Sequence, residues 1–168
     1  MSQHKLEKEW KAFKEGMSSK AITVEALVNQ TTFASTMIDS GNLTFCLISP
    51  HFAERAGLQC MSISPRALED VSGGYQKLTQ VARLAINIDG YEDVIFGYVA
   101  PKHPGHDLIL GRPWMNKREV TIAPAKRSIY IHSSGQQIRL TSTEERPMVR
   151  NPSLKEINAA AYLSLIHI

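Results

Sequence analysis

An aspartate on a tight turn, directly after an apolar segment, is the feature that most constrains the fold of this chain. Asp39-Ser40-Gly41 follows the β-branched and apolar residues of 31–38, and residues 43–48 are again mostly apolar. A second apolar segment, residues 108–110, ends at Gly111. Short polar side chains and glycine favour turns. The pattern predicts a carboxylate held on a backbone with little freedom, with the Gly111 segment bracing the turn from behind.

The tripeptide alone indicates only a structural turn, because Asp, Ser and Gly are the usual turn residues. Three further features favour function. The turn lies between two predicted strands, so the carboxylate is held on rigid elements. A glycine-rich hairpin candidate, Ser72-Gly73-Gly74, follows in the chain, and Gly111 ends its apolar segment 72 residues after Asp39.

The spacing of apolar residues predicts a mostly β fold with short strands and little helix. Asn29-Gln30 and Asp89-Gly90 are hairpin signals. Ser49-Pro50 predicts a short helix that ends at Gly57. The predicted strands cover residues 21–28, 31–38, 43–48, 66–71, 76–79, 81–88, 91–99, 108–110, 120–122, 129–132 and 137–140, and a helical turn covers residues 112–116.

The N-terminal segment, residues 1–20, has the pattern of an amphipathic helix. Its apolar residues share one helical stripe, and charged residues occupy the other positions. We expect this short helix to dock on the domain, and a linker is the alternative. The stripe consists of Leu6, Trp10, Phe13 and Met17.

The C-terminal segment, residues 142–168, is predicted to be a linker with one short helix. The chain becomes polar after Leu140, which places the end of the domain, residues 21–141, at this point. Residues 153–156 form a capping box before an apolar stretch. Residues 163–168 match the translation of a common sequencing adapter, and we assign them no function; the alternative is an ordinary apolar helix end.

Composition excludes several classes of protein. Most of the net charge of +3 comes from residues 1–20, with five Lys and three Glu, because residues 21–140 are nearly neutral, with eleven basic and ten acidic side chains. Nucleic-acid binders gather basic residues on one face, so we expect no direct nucleic-acid binding. The chain shows neither a membrane span nor a signal peptide. We therefore expect an intracellular, cytoplasmic protein without a membrane partner.

The cysteines and histidines do not indicate a metal site. Cys46 and Cys60 lie in no Cys-x-x-Cys pair and are predicted to be reduced thiols. His103 and His106 flank Pro-Gly in a loop and lack the further ligands that a metal needs. We expect neither a metal nor an organic cofactor.

From about residue 22 to residue 140 the chain resembles the retropepsins, the aspartic proteases of retroviruses and long-terminal-repeat retrotransposons. The resemblance is strongest to the Ty3/gypsy type, and to fungal elements in the C-terminal tail. It rests on three segments in the family's order and spacing: residues 38–41, residues 47–58 and residues 107–115. It implies a closed β-barrel, the acid-protease half, with one or two short helices.

The resemblance also implies a function and a site. The chain would be an aspartic endopeptidase that processes a polyprotein as a homodimer, with Asp39 of each subunit as the catalytic residue. Ser40 would lock the two active-site loops together, and Gly41 would let the substrate backbone approach. Ser72, Gly73 and Gly74 would form the flap over the peptide, with an ordinary surface loop as the alternative. Gly111 and Arg112 would lie behind the active-site loop.

Two residues depart from the family's pattern. Asn42 stands where the family usually has Ala or Ser, and Leu43 stands where retroviral members have an acidic partner for the arginine after the second glycine. These departures leave a second reading open, a retropepsin-like module that dimerises or binds peptides without turnover. A third reading is a β-rich domain unrelated to proteases.

Overall fold

Ten β-strands and three short α-helices form the part of the chain that the computed structural model describes, residues 1–17, 20–69, 73–133 and 135–143. The mostly β class is as predicted. The helices are α1 (Gln3–Lys14), α2 (Pro50–Arg55) and α3 (Arg112–Lys117). The strands are β1 (Ile22–Val28), β2 (Thr32–Ile38), β3 (Cys46–Ile48), β4 (Cys60–Glu69), β5 (Tyr75–Ile88), β6 (Tyr91–Val99), β7 (Leu108–Leu110), β8 (Val120–Ala123), β9 (Ser128–Ser133) and β10 (Gln136–Thr141).

Six of the strands close into a barrel, which confirms the predicted architecture. β1, β2, β7, β3, β6 and β5 are neighbours in that order, and β5 pairs back with β1 where Leu27 faces Asn87. β4 continues the sheet beyond β5, outside the ring, and β8, β9 and β10 form a separate antiparallel sheet. β2 and β7 run parallel, with Ile38 opposite Leu110. This pairing brings the two segments singled out in the sequence side by side.

The hairpin turns follow the sequence signals. Asn29 and Gln30 have φ of 51° and 62°, and Asp89 and Gly90 have φ of 50° and 91°. Two successive residues in this region give the turn whose twist matches that of paired strands, and Asn, Asp and Gly adopt it at the least cost. These two turns fix the registers of β1 with β2 and of β5 with β6.

β4 is longer than its sequence indicates. It begins at Cys60, six residues before the predicted start at residue 66, and pairs with β5 from Cys60 opposite Ala82 to Glu69 opposite Tyr75. The register shifts between Ser62 and Arg66, where Pro65 offers no N–H to the ladder. None of the ten residues of β4 is buried. The alternation of apolar and polar residues that marks a half-buried strand is therefore missing.

A buried carboxylate fastens α3 to the barrel. Asp93 on β6, whose side chain is 8% exposed, accepts two hydrogen bonds of 2.7 Å from the guanidinium of Arg118 at the end of α3. The Trp114 indole N–H donates to Asp93 at 3.3 Å, and the Tyr91 hydroxyl donates at 2.7 Å. Burial and the Asp93 carboxylate raise the pKa of Tyr91, and the bond to Asp93 raises the pKa of Arg118. Charge-assisted bonds thus fix the helix that follows Gly111.

The N-terminal helix forms as predicted but does not dock on the domain. Ser2 Oγ caps α1 by accepting from the backbone N–H of Lys5 at 3.2 Å. None of the residues Gln3–Lys14 is buried, and the whole apolar stripe is exposed. The predicted docking on the chain's own domain is therefore wrong. Helical periodicity identifies an apolar face but not the surface that it contacts.

β10 ends at Thr141, where the sequence places the end of the domain. The helix predicted after residue 153 lies outside the described residues, as do residues 163–168. Within the described ranges, no helix has the length and apolar character needed to cross a membrane.

Candidate active site

Asp39 begins a tight turn at the end of β2, and the backbone holds it on both sides. Its N–H donates to the carbonyl of Leu110 at 3.0 Å, and its own carbonyl accepts from the N–H of Asn42 at 3.1 Å. Its side-chain Oδ1 accepts from the N–H of Gly41 at 2.9 Å. The half-buried carboxylate thus has a defined direction before any ligand or partner binds.

Gly41 lies in close contact with that carboxylate. A Cβ atom added at Gly41 would lie 3.2 Å from Asp39 Oδ1, tighter than ordinary van der Waals contact. Ser40, between the two residues, is exposed. Gly41 is exposed as well, so both residues that follow Asp39 in the turn are accessible.

Gly111 packs directly against the turn. A Cβ atom there would lie 1.9 Å from the carbonyl oxygen of Thr44 and 2.8 Å from that of Asn42. The N–H of Gly111 donates to the carbonyl of Phe45 at 3.1 Å, and the N–H of Arg112 donates to the carbonyl of Asn42 at 2.8 Å. The two chain segments are packed backbone against backbone, which only glycine permits here.

Arg112 contacts the Asp39 turn through its side chain. Its Nε donates to the carbonyl of Ser40 at 2.8 Å. Leu43, at the position where retroviral members carry an acidic partner, is 60% exposed. The guanidinium therefore braces a backbone carbonyl of the same turn.

The side chain of Asn42 stabilises its own loop, which is not predicted from the sequence. Its Oδ1 accepts from the backbone N–H of Thr44 at 2.9 Å and from the Thr44 hydroxyl at 2.6 Å. Thr44 is fully buried. An Asn followed two residues later by Thr is a signal for this kind of side-chain turn. The residue that departs from the family's pattern is thus built into the loop.

Asp39 lines a cleft with a volume of about 430 Å³. Its floor is apolar, with Leu47 and Ile109 from neighbouring strands, and Leu43 lies at its edge. On the far side stand residues at the ends of β4 and β5. These are Leu68, Glu69 and Gln76.

Two of the predicted flap residues, Gly73 and Gly74, lie directly before β5. The first residue of that strand, Tyr75, pairs with Glu69 at the end of β4. Gly73 has φ of 84° and is exposed, as is Gly74. Ser72 lies outside the described residues. The hairpin that carries these glycines thus lines the same cleft as Asp39.

Asp107, the first residue of the third segment (residues 107–115), does not line the cleft. It accepts from the backbone N–H of Ser35 at 2.9 Å and from the guanidinium of Arg55 at 3.1 Å. It thereby joins α2 to the segment before β7. Of the carboxylates in the three segments, Asp39, Glu54 and Asp107, only Asp39 lines the cleft.

Comparison with known proteins gives the same picture for fold and family. Residues 10–137 match the family described as retroviral aspartyl protease. The retroviral protease-like domain of Ddi1 from Leishmania major is 18% identical, with a TM-score of 0.57 over 78% of this chain and 100% of that one. The EIAV protease complexed with the inhibitor HBY-793 is 17% identical, with a TM-score of 0.51 over 62% of this chain and 94% of that one. Among the curated proteins, none matches this chain in sequence.

Proposed function

Since the chain belongs to the retroviral aspartyl protease family, we propose that it is an aspartic endopeptidase that works as a homodimer. The observation that carries the proposal is the placement of Asp39. Its carboxylate lies on a fully braced turn, at the wall of a cleft whose opposite wall is a β-hairpin. Family membership also removes the reading of a β-rich domain unrelated to proteases.

The chemistry requires a second carboxylate, which Asp39 of a second copy would supply. Two carboxylates in contact cannot both ionise cheaply, so the pair shares one proton. The ionised partner takes a proton from a water molecule, which attacks the peptide carbonyl. The protonated partner donates to the carbonyl oxygen as it gains charge.

The surrounding residues have separate roles in this proposal. The exposed Ser40 would hold the two active-site loops together through its hydroxyl, and Gly41 would admit the substrate backbone. Gly111 and Arg112 would keep the loop from shifting, since they bond to it from behind. The turn with Ser72, Gly73 and Gly74 would close over the bound peptide and exclude water.

The cleft suits an extended peptide with apolar side chains near the cleaved bond. Leu47, Ile109 and Leu68 offer apolar contacts on both sides of the cleft. A peptide that lies along the hairpin would bond through its backbone, as an added strand does, and its side chains would provide selectivity. The proposed reaction needs neither a metal nor an organic cofactor.

The proposal extends to origin and boundaries. We assign the protease unit to residues 21–141, with a helical leader in residues 1–20 and a linker in residues 142–168. The natural context that we propose is the polyprotein of a Ty3/gypsy-type retrotransposon, of fungal source. The support for the retrotransposon type is the order and spacing of the three sequence segments named above, and the support for a fungal source is the resemblance in the C-terminal tail.

A cleavage assay on the full chain tests the proposal. A peptide library is incubated with the protein at several concentrations, at mildly acidic to neutral pH. Activity per chain should rise with protein concentration, because only the dimer is active. Asp39→Asn should lower the rate at least about a thousand-fold, since it removes the group that activates water.

Asp89→Asn is the matched control. It makes the same chemical change in a turn where Asn is equally accepted, and it should leave turnover intact. Lack of turnover from a folded dimer would contradict the proposal. It would favour the non-catalytic module, for which Asn42 and Leu43 are the supporting observations.

A further inference from the structure

The N-terminal helix carries an apolar stripe that nothing in the described chain covers. Its side chains are between 52% and 68% exposed, and the rings of Trp10 and Phe13 stack with centroids 6.4 Å apart. A helix of twelve residues is marginal in water unless its apolar face is packed. The exposed side chains are Leu6, Trp10, Phe13 and Met17.

The spacing of this stripe is that of a two-stranded coiled coil. Within α1, Leu6, Trp10 and Phe13 follow one another at intervals of four and three, the alternation of d and a positions in a heptad. Leu6 and Phe13 take the d positions and Trp10 takes the a position between them, whereas Met17 follows the end of the helix at Lys14. The stripe can therefore pack against a copy of itself.

The charges beside the stripe favour a parallel pair. With Trp10 at an a position, Glu9 falls at g and Lys14 at the following e. In a parallel pair, residue g of one helix faces residue e of the next heptad in the other helix. Glu9 of each copy would then face Lys14 of the other, which gives two attractive contacts. Glu9 and Lys14 are both exposed.

The helix is attached to the end of the barrel that carries the active site. Ile22, the first residue of β1, pairs with Ile38, which precedes Asp39. The guanidinium of Arg127 donates to the carbonyls of Lys20 and Ala21 and so fixes the chain where it enters the barrel. Residues 15–21 can span at most about 25 Å. Two copies joined at Asp39 would therefore bring their helices within reach of each other.

We propose that α1 pairs in parallel with α1 of a second copy and so strengthens the dimer. The inference rests on the proposed function, because the meeting of two Asp39 residues places the helices together. The half-exposed aromatic side chains of Trp10 and Phe13 from both copies would bury about 400–500 Å² in total on pairing. A standard interface buries about 1,200–2,000 Å². The helix pair thus supplements a dimer interface of the barrels.

Dimer dissociation constants measured by sedimentation equilibrium test the pair in the full chain. The double variant Trp10→Ala with Phe13→Ala should weaken the dimer at least about tenfold, because its largest apolar side chains leave the interface. Lys8→Ala with Lys11→Ala, on the opposite helix face, should leave the constant unchanged. An unchanged constant in the aromatic variant overturns the pair.

Charge reversal separates the pair from a loss of folding. Glu9→Lys and Lys14→Glu should each weaken the dimer several-fold, and the two together should restore it, because each cross-helix contact is again attractive. Failure of the double variant to restore the dimer overturns the parallel arrangement. A wild-type chain that is monomeric at every concentration overturns both the pair and the dimeric protease. If the wild-type chain dimerises and cleaves peptides, and the variant Trp10→Ala with Phe13→Ala has the same dimer dissociation constant, only the α1 pair is overturned.

Discussion

The two walls of the cleft are built in opposite ways. In the braced wall, which carries Asp39, backbone hydrogen bonds join Asp39 to Leu110 and Asn42. Gly111 packs against this turn so closely that a methyl group on its Cα would not fit. The hairpin wall is formed by the ends of β4 and β5; none of the residues of β4 is buried, and the two glycines directly before β5 are exposed. In the site that we propose, the carboxylate must keep one direction, whereas the hairpin must let a peptide enter. The chain thus concentrates its packing on the first wall.

The largest expected effect is that of Gly111→Ala on the braced wall. Its φ of −98° suits any residue, so the conflict is one of space alone, with the carbonyl of Thr44 at 1.9 Å from the new methyl group. We expect a loss of about 4 kcal/mol or more in the free energy of unfolding. Urea unfolding measures it.

Gly73→Ala on the hairpin wall is the matched change. A methyl group there has open space, and the only cost is the left-handed φ of 84°, about 1–2 kcal/mol. Equal losses in the free energy of unfolding of Gly111→Ala and Gly73→Ala would contradict the account that the braced wall is tightly packed and the hairpin wall is not.

Asp93→Asn should give the second-largest effect, because α3 supports the braced wall through Gly111. The change removes the charge that two bonds from Arg118 and one from Trp114 satisfy. We expect a loss of about 3 kcal/mol in the free energy of unfolding. Glu92→Gln, a neighbouring exposed position, is the control and should change stability little. A loss in Asp93→Asn as small as the control's would mean that α3 is held by apolar packing alone.

Asn42→Ala tests the side-chain turn within the braced wall. The change leaves the N–H and the hydroxyl of buried Thr44 without their acceptor, which should cost about 1–2 kcal/mol. Asn42→Asp keeps an acceptor at the same place and should lose less. If Asn42→Ala and wild type unfold at the same urea concentration, Asn42 is a neutral departure from the family's pattern.

The smallest expected effect concerns alkaline pH. Burial and Asp93 raise the pKa of Tyr91 in the folded chain. In the unfolded chain the pKa of Tyr91 is about 10. Above that pH the unfolded state loses a proton that the folded state keeps, so stability falls as pH rises. In Tyr91→Phe the fall should be shallower, as urea unfolding on either side of pH ~10 would measure. Identical pH dependence in both proteins would show that Tyr91 does not contribute.

The sequence predicted what depends on local chemistry. The Asp39 turn, the two hairpins and the short helices after Pro50 and at Arg112 lie where turn and cap residues place them. The start of β4 was missed, since an exposed strand interrupted by Pro65 has no apolar alternation. The network around Asp93 joins residues 21 and 25 positions apart. Only the packing of α3 on β6 brings these residues together, and no local pattern encodes that contact.

The same limit applies to α1 and Asn42. Periodicity identifies the apolar stripe of α1, but several surfaces could accept it, and the barrel of its own chain does not. Asn42 looked like a defect when it was compared with the family's usual residue. Its partner Thr44 lies two residues away, so the signal was present in the sequence.

The most direct test of the central claim is the stoichiometry of a transition-state peptide. A peptide that the chain cleaves is remade with a secondary alcohol in place of the scissile amide, and its binding is measured by titration calorimetry. One site shared by two Asp39 carboxylates predicts one peptide bound per two chains, with binding lost in Asp39→Asn and kept in Asp89→Asn. One peptide per chain, or binding that survives Asp39→Asn, would contradict a catalytic site built from two subunits.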